Sequence, residues 1–133
     1  MLRLAVPFAV LLLGHVALAQ GSGEDGTIYL CNEVAFRIRT AAAGQTVAQR
    51  REAVRLRLVQ AYARQRITAA TITLREIPGG QAIYIGDQLL VTVTPADGQA
   101  NGTTAAALAR AWLARLRELL PRCRLEVPPD VRR

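Results

Sequence analysis

Arginine and cysteine are the residues of this 133-residue chain whose types and spacing could do chemistry. All 17 of its Lys-plus-Arg positions are arginine, against 10 acidic residues, which leaves a formal charge of +7. Arg50, Arg57 and Arg64 recur at seven-residue intervals, and so do Arg110, Arg117 and Arg124. On a helix each set shares one stripe, and a basic stripe can bind phosphate or carboxylate surfaces such as anionic envelope polymers or lipid headgroups. The competing reading is a pair of solvated helix faces in an arginine-biased composition. Nucleic acid is not an expected partner of a chain read below as exported, and the aromatics that stack on bases are few beyond residue 19: Tyr29, Phe36, Tyr62, Tyr84 and Trp112.

Enzyme chemistry has little to work with. The single histidine, His15, falls in a segment expected to be removed, and there is no lysine. The remaining chain lacks the residues for histidine acid–base catalysis and for Schiff-base chemistry. It also lacks the usual ligands of catalytic zinc, and two cysteines cannot close a four-thiolate site. No metal or cofactor is expected. Its one serine, Ser22, lies in a glycine-rich stretch and has no base to activate it. The alternative of a small hydrolase or lyase would have to use carboxylates such as Glu76, Asp87 or Asp97, which read as solvated turn residues. Asn101-Gly102-Thr103 fits a glycosylation acceptor and equally well a turn followed by a helix cap.

The N-terminus sets the compartment. Arg3, the apolar run Leu4 to Leu13 and the Ala17-Leu18-Ala19 site read as a secretory signal over residues 1–19. The alternative is a buried N-terminal helix. The run is shorter than the roughly 20 residues a membrane span needs, and arginine interrupts every later apolar stretch. An exported chain, most readily a periplasmic one, makes Cys31 and Cys123 an expected disulfide, the alternative being two buried small hydrophobes. That bond requires the first strand to lie beside the end of the last helix.

Periodicity then supplies the elements that must position these residues. Residues 20–26 read as a flexible lead-in, 27–125 as one domain and 126–133 as a loose tail. Ile28, Leu30, Val34, Phe36 and Ile38 alternate as strands do, with a turn expected at Asn32-Glu33. Thr46 and Gln49 form a capping box before a helix over 47–64, whose apolar face is Val47, Val54, Leu58 and Tyr62. A strand is expected within 67–77, ended by Pro78-Gly79-Gly80. A hairpin over 81–94 turns at Gly86-Asp87, with Tyr84 opposite Leu89 and Val91 and Val93 continuing that face. Residues 95–102 read as a loop. Thr103 or Thr104 caps a last helix with Ala105, Leu108, Trp112, Leu116 and Leu119 on its apolar stripe, and Pro121 stops it. The order β(β)-α-β-β-β-α implies an α+β fold, a mostly antiparallel sheet with two helices packed on one face.

Against this pattern the chain resembles a known family. Val34, Phe36 and Ile38, followed by Gln49-Arg50-Arg51, Ala53-Val54 and Arg57-Leu58, resemble the start of the extracytoplasmic N-terminal domain of cyanobacterial-type MscS-like mechanosensitive channels. Ile85-Gly86-Asp87, Leu89 to Thr94, Ala96-Asp97 and then Leu108-Ala109, Trp112 and Leu116 resemble its second half. The resemblance runs over residues 27–120. It implies a periplasmic module whose relatives sit beside a membrane. Those channels continue into transmembrane helices and this chain ends at Arg133, so ion conduction is not implied. The cysteine pair lies outside the pattern, and no catalytic residue carries over. The function expected is a non-enzymatic exported module that binds or senses an envelope component or membrane-protein partner. A purely structural domain that oligomerises through a strand edge is a further alternative.

Overall fold

A computed structural model of the chain describes residues 26–123. The expected signal segment, most of the lead-in, Arg124 and the tail lie outside the described residues. Gly26, assigned by sequence to the lead-in, belongs to the domain. It is buried, its carbonyl accepts from the Ile38 N–H at 2.9 Å, and a side chain there would collide with the Ile38 carbonyl.

The chain begins with a hairpin of β1 (Thr27–Leu30) and β2 (Glu33–Arg37). Its turn is Cys31-Asn32, one residue earlier than expected. Both residues are left-handed, with φ of 51° and 62°, as a two-residue turn matched to strand twist requires. Helix α1 (Val47–Arg64) follows, with the Thr46–Gln49 capping box in place. A single 3₁₀ turn, Ala69–Thr71, delays the next strand, so β3 is Ile72–Ile77. It pairs with β4 (Gly80–Ile85), which pairs with β5 (Gln88–Val93), giving a three-stranded antiparallel sheet in sequence order. The stretch read as a loop forms a short helix, α2 (Pro95–Ala100), and Thr104 caps α3 (Ala105–Leu119). The α+β class and the strand–helix order are those expected from sequence.

One register detail decides which sheet face is buried. Tyr84 does face Leu89, but Ile83 faces Val91, so Leu90 is an inserted residue. The bulge reverses the side-chain alternation along β5. Val91 and Val93 therefore share the face of Ile83 and Ile85, not that of Tyr84. That face, with Ile72, packs against Leu108, Ala109, Trp112 and Leu116 of α3. The other face carries Thr73, Ala82, Leu89, Thr92 and the Arg75 guanidinium stacked 4.0 Å over the Tyr84 ring. The β1–β2 hairpin joins the same core, and Phe36 stacks on Trp112 at 4.4 Å between ring centres. Among the described residues no helix is long and apolar enough to cross a membrane.

Candidate functional site

Arg50 is not on an exposed stripe. Its side chain is 5% exposed and meets Asp97, which is fully buried, in a two-pronged ion pair: Nη1 to Oδ1 at 2.8 Å and Nη2 to Oδ2 at 2.9 Å. The same two nitrogens donate to the Thr40 carbonyl at 2.7 Å and the Thr92 carbonyl at 3.0 Å. Asp97 is equally occupied. Its Oδ2 accepts from the Thr94 N–H at 2.8 Å and the Thr94 hydroxyl at 3.0 Å, which makes it the N3 residue of the α2 capping box. The pair ties α1 to the junction of β5 and α2. Burial pushes the Asp97 carboxyl upward, but the Arg50 and Thr94 hydrogen bonds and the guanidinium charge outweigh it, holding the pKa below the usual aspartate range. This corrects two sequence readings at once: Arg50 leaves the candidate binding surface, and Asp97 is not a solvated turn carboxylate.

The other candidate arginines divide by location. Arg57 Nη1 donates to the Leu90 carbonyl at 3.1 Å. Leu90 is the inserted residue of the β5 bulge, whose carbonyl the ladder leaves unpaired. Arg117 donates through Nε at 3.0 Å and Nη2 at 2.8 Å to the carbonyl of Ile72, on the outer edge of β3. Arg115, near the end of α3, donates through Nε to the Val34 carbonyl of β2 at 3.1 Å. Its terminal nitrogens, with Arg122, hold Glu33 and Glu118 in a surface network. Arg64 and Arg110 are exposed on their helices.

A common function emerges from these contacts. Strand edges present unpaired main-chain groups that invite another chain, and proteins blunt them with charged side chains. Here the Val34 carbonyl of β2, the Ile72 carbonyl of β3 and the Leu90 and Thr92 carbonyls of β5 each accept from a guanidinium of a neighbouring helix. The heptad spacing that sequence reasoning read as a binding stripe is, for Arg50 and Arg57, the spacing that reaches successive positions along β5. No local signal distinguishes such an arginine from a solvated one; the acceptor is a carbonyl 33 to 42 residues away.

In a hairpin closed at Leu30–Glu33, Tyr29 and Val34 form the next, non-bonded pair, so their main-chain groups point outward. The Val34 carbonyl meets Arg115. Beside the edge of β1 lies a groove of about 440 Å³ between β1 and α1, walled by Ile28, Tyr29, Leu30, Leu58 and Val59 and rimmed by Arg51, Glu52 and Arg55. Tyr29 is 57% exposed; Leu56, one turn along α1 from Glu52, is 48% exposed. Arg55 holds Glu52 through two nitrogens at 2.7 and 2.9 Å, which lowers the Glu52 pKa chiefly through that hydrogen bond.

The cysteines do what the sequence required. Cys31, exposed at the hairpin turn, is bonded to the buried Cys123 just past α3, their Cα atoms 5.5 Å apart. The bond staples the β1–β2 hairpin to the end of the last helix and indicates an oxidising, exported compartment. Tyr62 reinforces the same corner: its hydroxyl donates to the Leu120 carbonyl at 2.9 Å, and burial pushes its pKa up to about 12. Among the described residues no group of three or more histidine, cysteine or carboxylate side chains could hold a metal ion. Glu76 and Asp87 are exposed, and the Asp97 carboxylate is committed to Arg50 and Thr94.

No curated protein and no solved structure matches the chain. A family model does match, over residues 27–122, from the first residue of β1 to just past α3. Its description is Domain of unknown function (DUF8459), and the chain belongs to that family.

Proposed function

We propose that this chain is a non-enzymatic module, exported behind a signal peptide to the periplasm, that docks on a membrane-associated envelope protein. The observation that carries the reading is the groove between β1 and α1. It is an apolar surface flanked by the exposed Tyr29, and the Cys31–Cys123 bond and the Phe36–Trp112 stack hold its hairpin rigid. A concave apolar strip with few polar groups is where a protein partner gains binding free energy. The resemblance to the extracytoplasmic domain of MscS-like channels points the same way, toward a partner in or beside a membrane. The arginines support an apolar interface more than an anionic surface, since Arg50, Arg57, Arg115 and Arg117 spend donors on the protein's own carbonyls and carboxylates. Arg64 and Arg110 remain as peripheral positive charge.

The test is co-sedimentation of the disulfide-bonded domain with envelope vesicles across a salt series. Binding is expected to survive to about 1 M salt, where the screening length is roughly 3 Å. Binding that collapses with salt and is abolished by Arg64→Glu with Arg110→Glu would instead assign an anionic surface. Absence of binding at every salt concentration would overturn the envelope reading.

A further inference from the structure

We propose that the outer face of the β1–β2 hairpin, continuous with the groove, receives an apolar segment of the envelope protein that carries a carboxylate, and that this carboxylate pairs with Arg37. The inference rests on the reading of the chain as a partner-docking module and names the chemistry the partner brings. It starts from a bulge. The sequence period places Val34 on one face with Phe36 and Ile38. In the structure Ile28 faces Phe36 while Tyr29 faces Val34, so Ala35 is an inserted residue. The bulge turns Val34 out to 43% exposure, directly across from Tyr29, while Phe36 and Ile38 stay buried. It also brings Val34 and Arg37 onto one face, although residues three apart on a regular strand point to opposite sides. Tyr29 belongs both to this face and to the groove wall. Leu56 lies four residues after Glu52 and three before Val59, both of which line the groove, so it neighbours them on α1. The exposed large hydrophobics of the described residues, Tyr29, Val34 and Leu56, thus gather around one groove, as at an interaction surface.

Charge complementarity names the partner's chemistry. Arg37 is exposed on the same face, and its Nε donates to the Thr27 hydroxyl at 2.8 Å. That bond orients the guanidinium and leaves its two terminal nitrogens for an incoming group. Among the described residues no carboxylate pairs with Arg37. The hairpin's own acid, Glu33, is already held by Arg115 and Arg122, each at 2.8 Å. A guanidinium can meet a carboxylate through two parallel hydrogen bonds, and a pair covered by an apolar interface is screened far less by salt than an exposed one. Tyrosine and arginine are also residue types that dominate binding energy at interface centres. A basic segment would meet like charge at Arg37.

The probe is envelope vesicles in two forms, untreated and with their protein carboxylates converted to amides by carbodiimide and glycinamide, alongside liposomes of the extracted envelope lipid. Binding of the disulfide-bonded protein is read by co-sedimentation. Wild type is expected to bind untreated vesicles saturably, and treated vesicles and liposomes at least tenfold more weakly. Arg37→Gln and Tyr29→Ser should each bind untreated vesicles at least tenfold more weakly, with denaturation midpoints close to that of wild type, while Arg110→Gln binds as wild type does. On treated vesicles wild type and Arg37→Gln should bind alike, a coupling that a merely structural role for Arg37 would not produce. The treated vesicles also test the carboxylate without altering the protein. Binding that Arg37→Gln leaves unchanged, or an Arg37→Gln loss equally large on treated vesicles, would overturn the proposal and leave the docking reading standing. Liposomes that bind as tightly as vesicles would overturn it by giving the face to lipid headgroups. Absence of wild-type binding to any of them would remove the envelope reading together with the proposal.

Discussion

Arg50→Ala will destabilise the domain by about 3–5 kcal/mol, the range for removing one partner of a buried ion pair. The loss is large because the substitution strands more than one group. Asp97 keeps its charge in a site with no solvent exposure, and the Thr40 and Thr92 carbonyls lose their donor. Asp97→Ala should cost a similar amount, since it leaves the guanidinium buried and also removes the α2 capping box. Urea unfolding reads both, and a cost below about 1 kcal/mol would be the behaviour of an exposed pair. Replacing the pair together, Arg50→Met with Asp97→Leu, should recover much of the loss, because two apolar groups leave no buried charge behind. The pH dependence has a definite sign. A carboxyl whose folded pKa is depressed contributes its full stability above the unfolded value of about 3.9 and loses it as pH falls through the lower folded value. In Arg50→Ala the burial penalty is no longer opposed by the guanidinium, so the acid transition should move to higher pH.

Removing the Cys31–Cys123 bond is the second large effect. The cysteines are 92 residues apart, and a loop of that length is worth roughly 4–5 kcal/mol in the chain-entropy account. For a domain of this size that is a large share of total stability. Cys31→Ser with Cys123→Ser should therefore lower the denaturation midpoint sharply, and the reduced wild type should match the double variant. The damage is expected to centre on the hairpin. Cys31 occupies a left-handed turn position that non-glycine residues adopt at a cost, and the bond helps to hold it there. Labelling of denatured, unreduced protein should find no free thiol. Two reactive thiols would remove both the bond and the compartment inferred from it.

Helix α1 was legible to its last residue, because the Thr46–Gln49 capping box and the Val54–Leu58 face are local signals. The disulfide was legible because two cysteines in an exported chain have one intramolecular pairing. Helix α2 was missed although Thr94-Pro95-Ala96-Asp97 carries a cap, a proline at the first helical position and an acid at the third; its six residues were too short to show periodicity. The face of β5 was misread because a one-residue bulge at Leu90 inverts everything beyond it, and no residue type announces a bulge. The site was least legible of all. Arg50 and Asp97 stand 47 residues apart, and each reads as an ordinary surface charge until the fold closes them together.

Amide exchange at Tyr29 tests the central claim, that the groove between β1 and α1 is where an envelope partner docks. Exchange would be followed by NMR on the disulfide-bonded domain alone and with saturating envelope vesicles, with Leu74 as reference. Leu74 lies on the outer edge of β3, since the Thr71–Gly86 bond puts Thr73 and Arg75 on the β4 side. The account predicts that the Tyr29 amide exchanges freely in the isolated domain and slows at least tenfold with vesicles, while Leu74 is unchanged. Protection that appears at Leu74, or along the exposed arginines of α1 and α3, with Tyr29 unaffected, would contradict it.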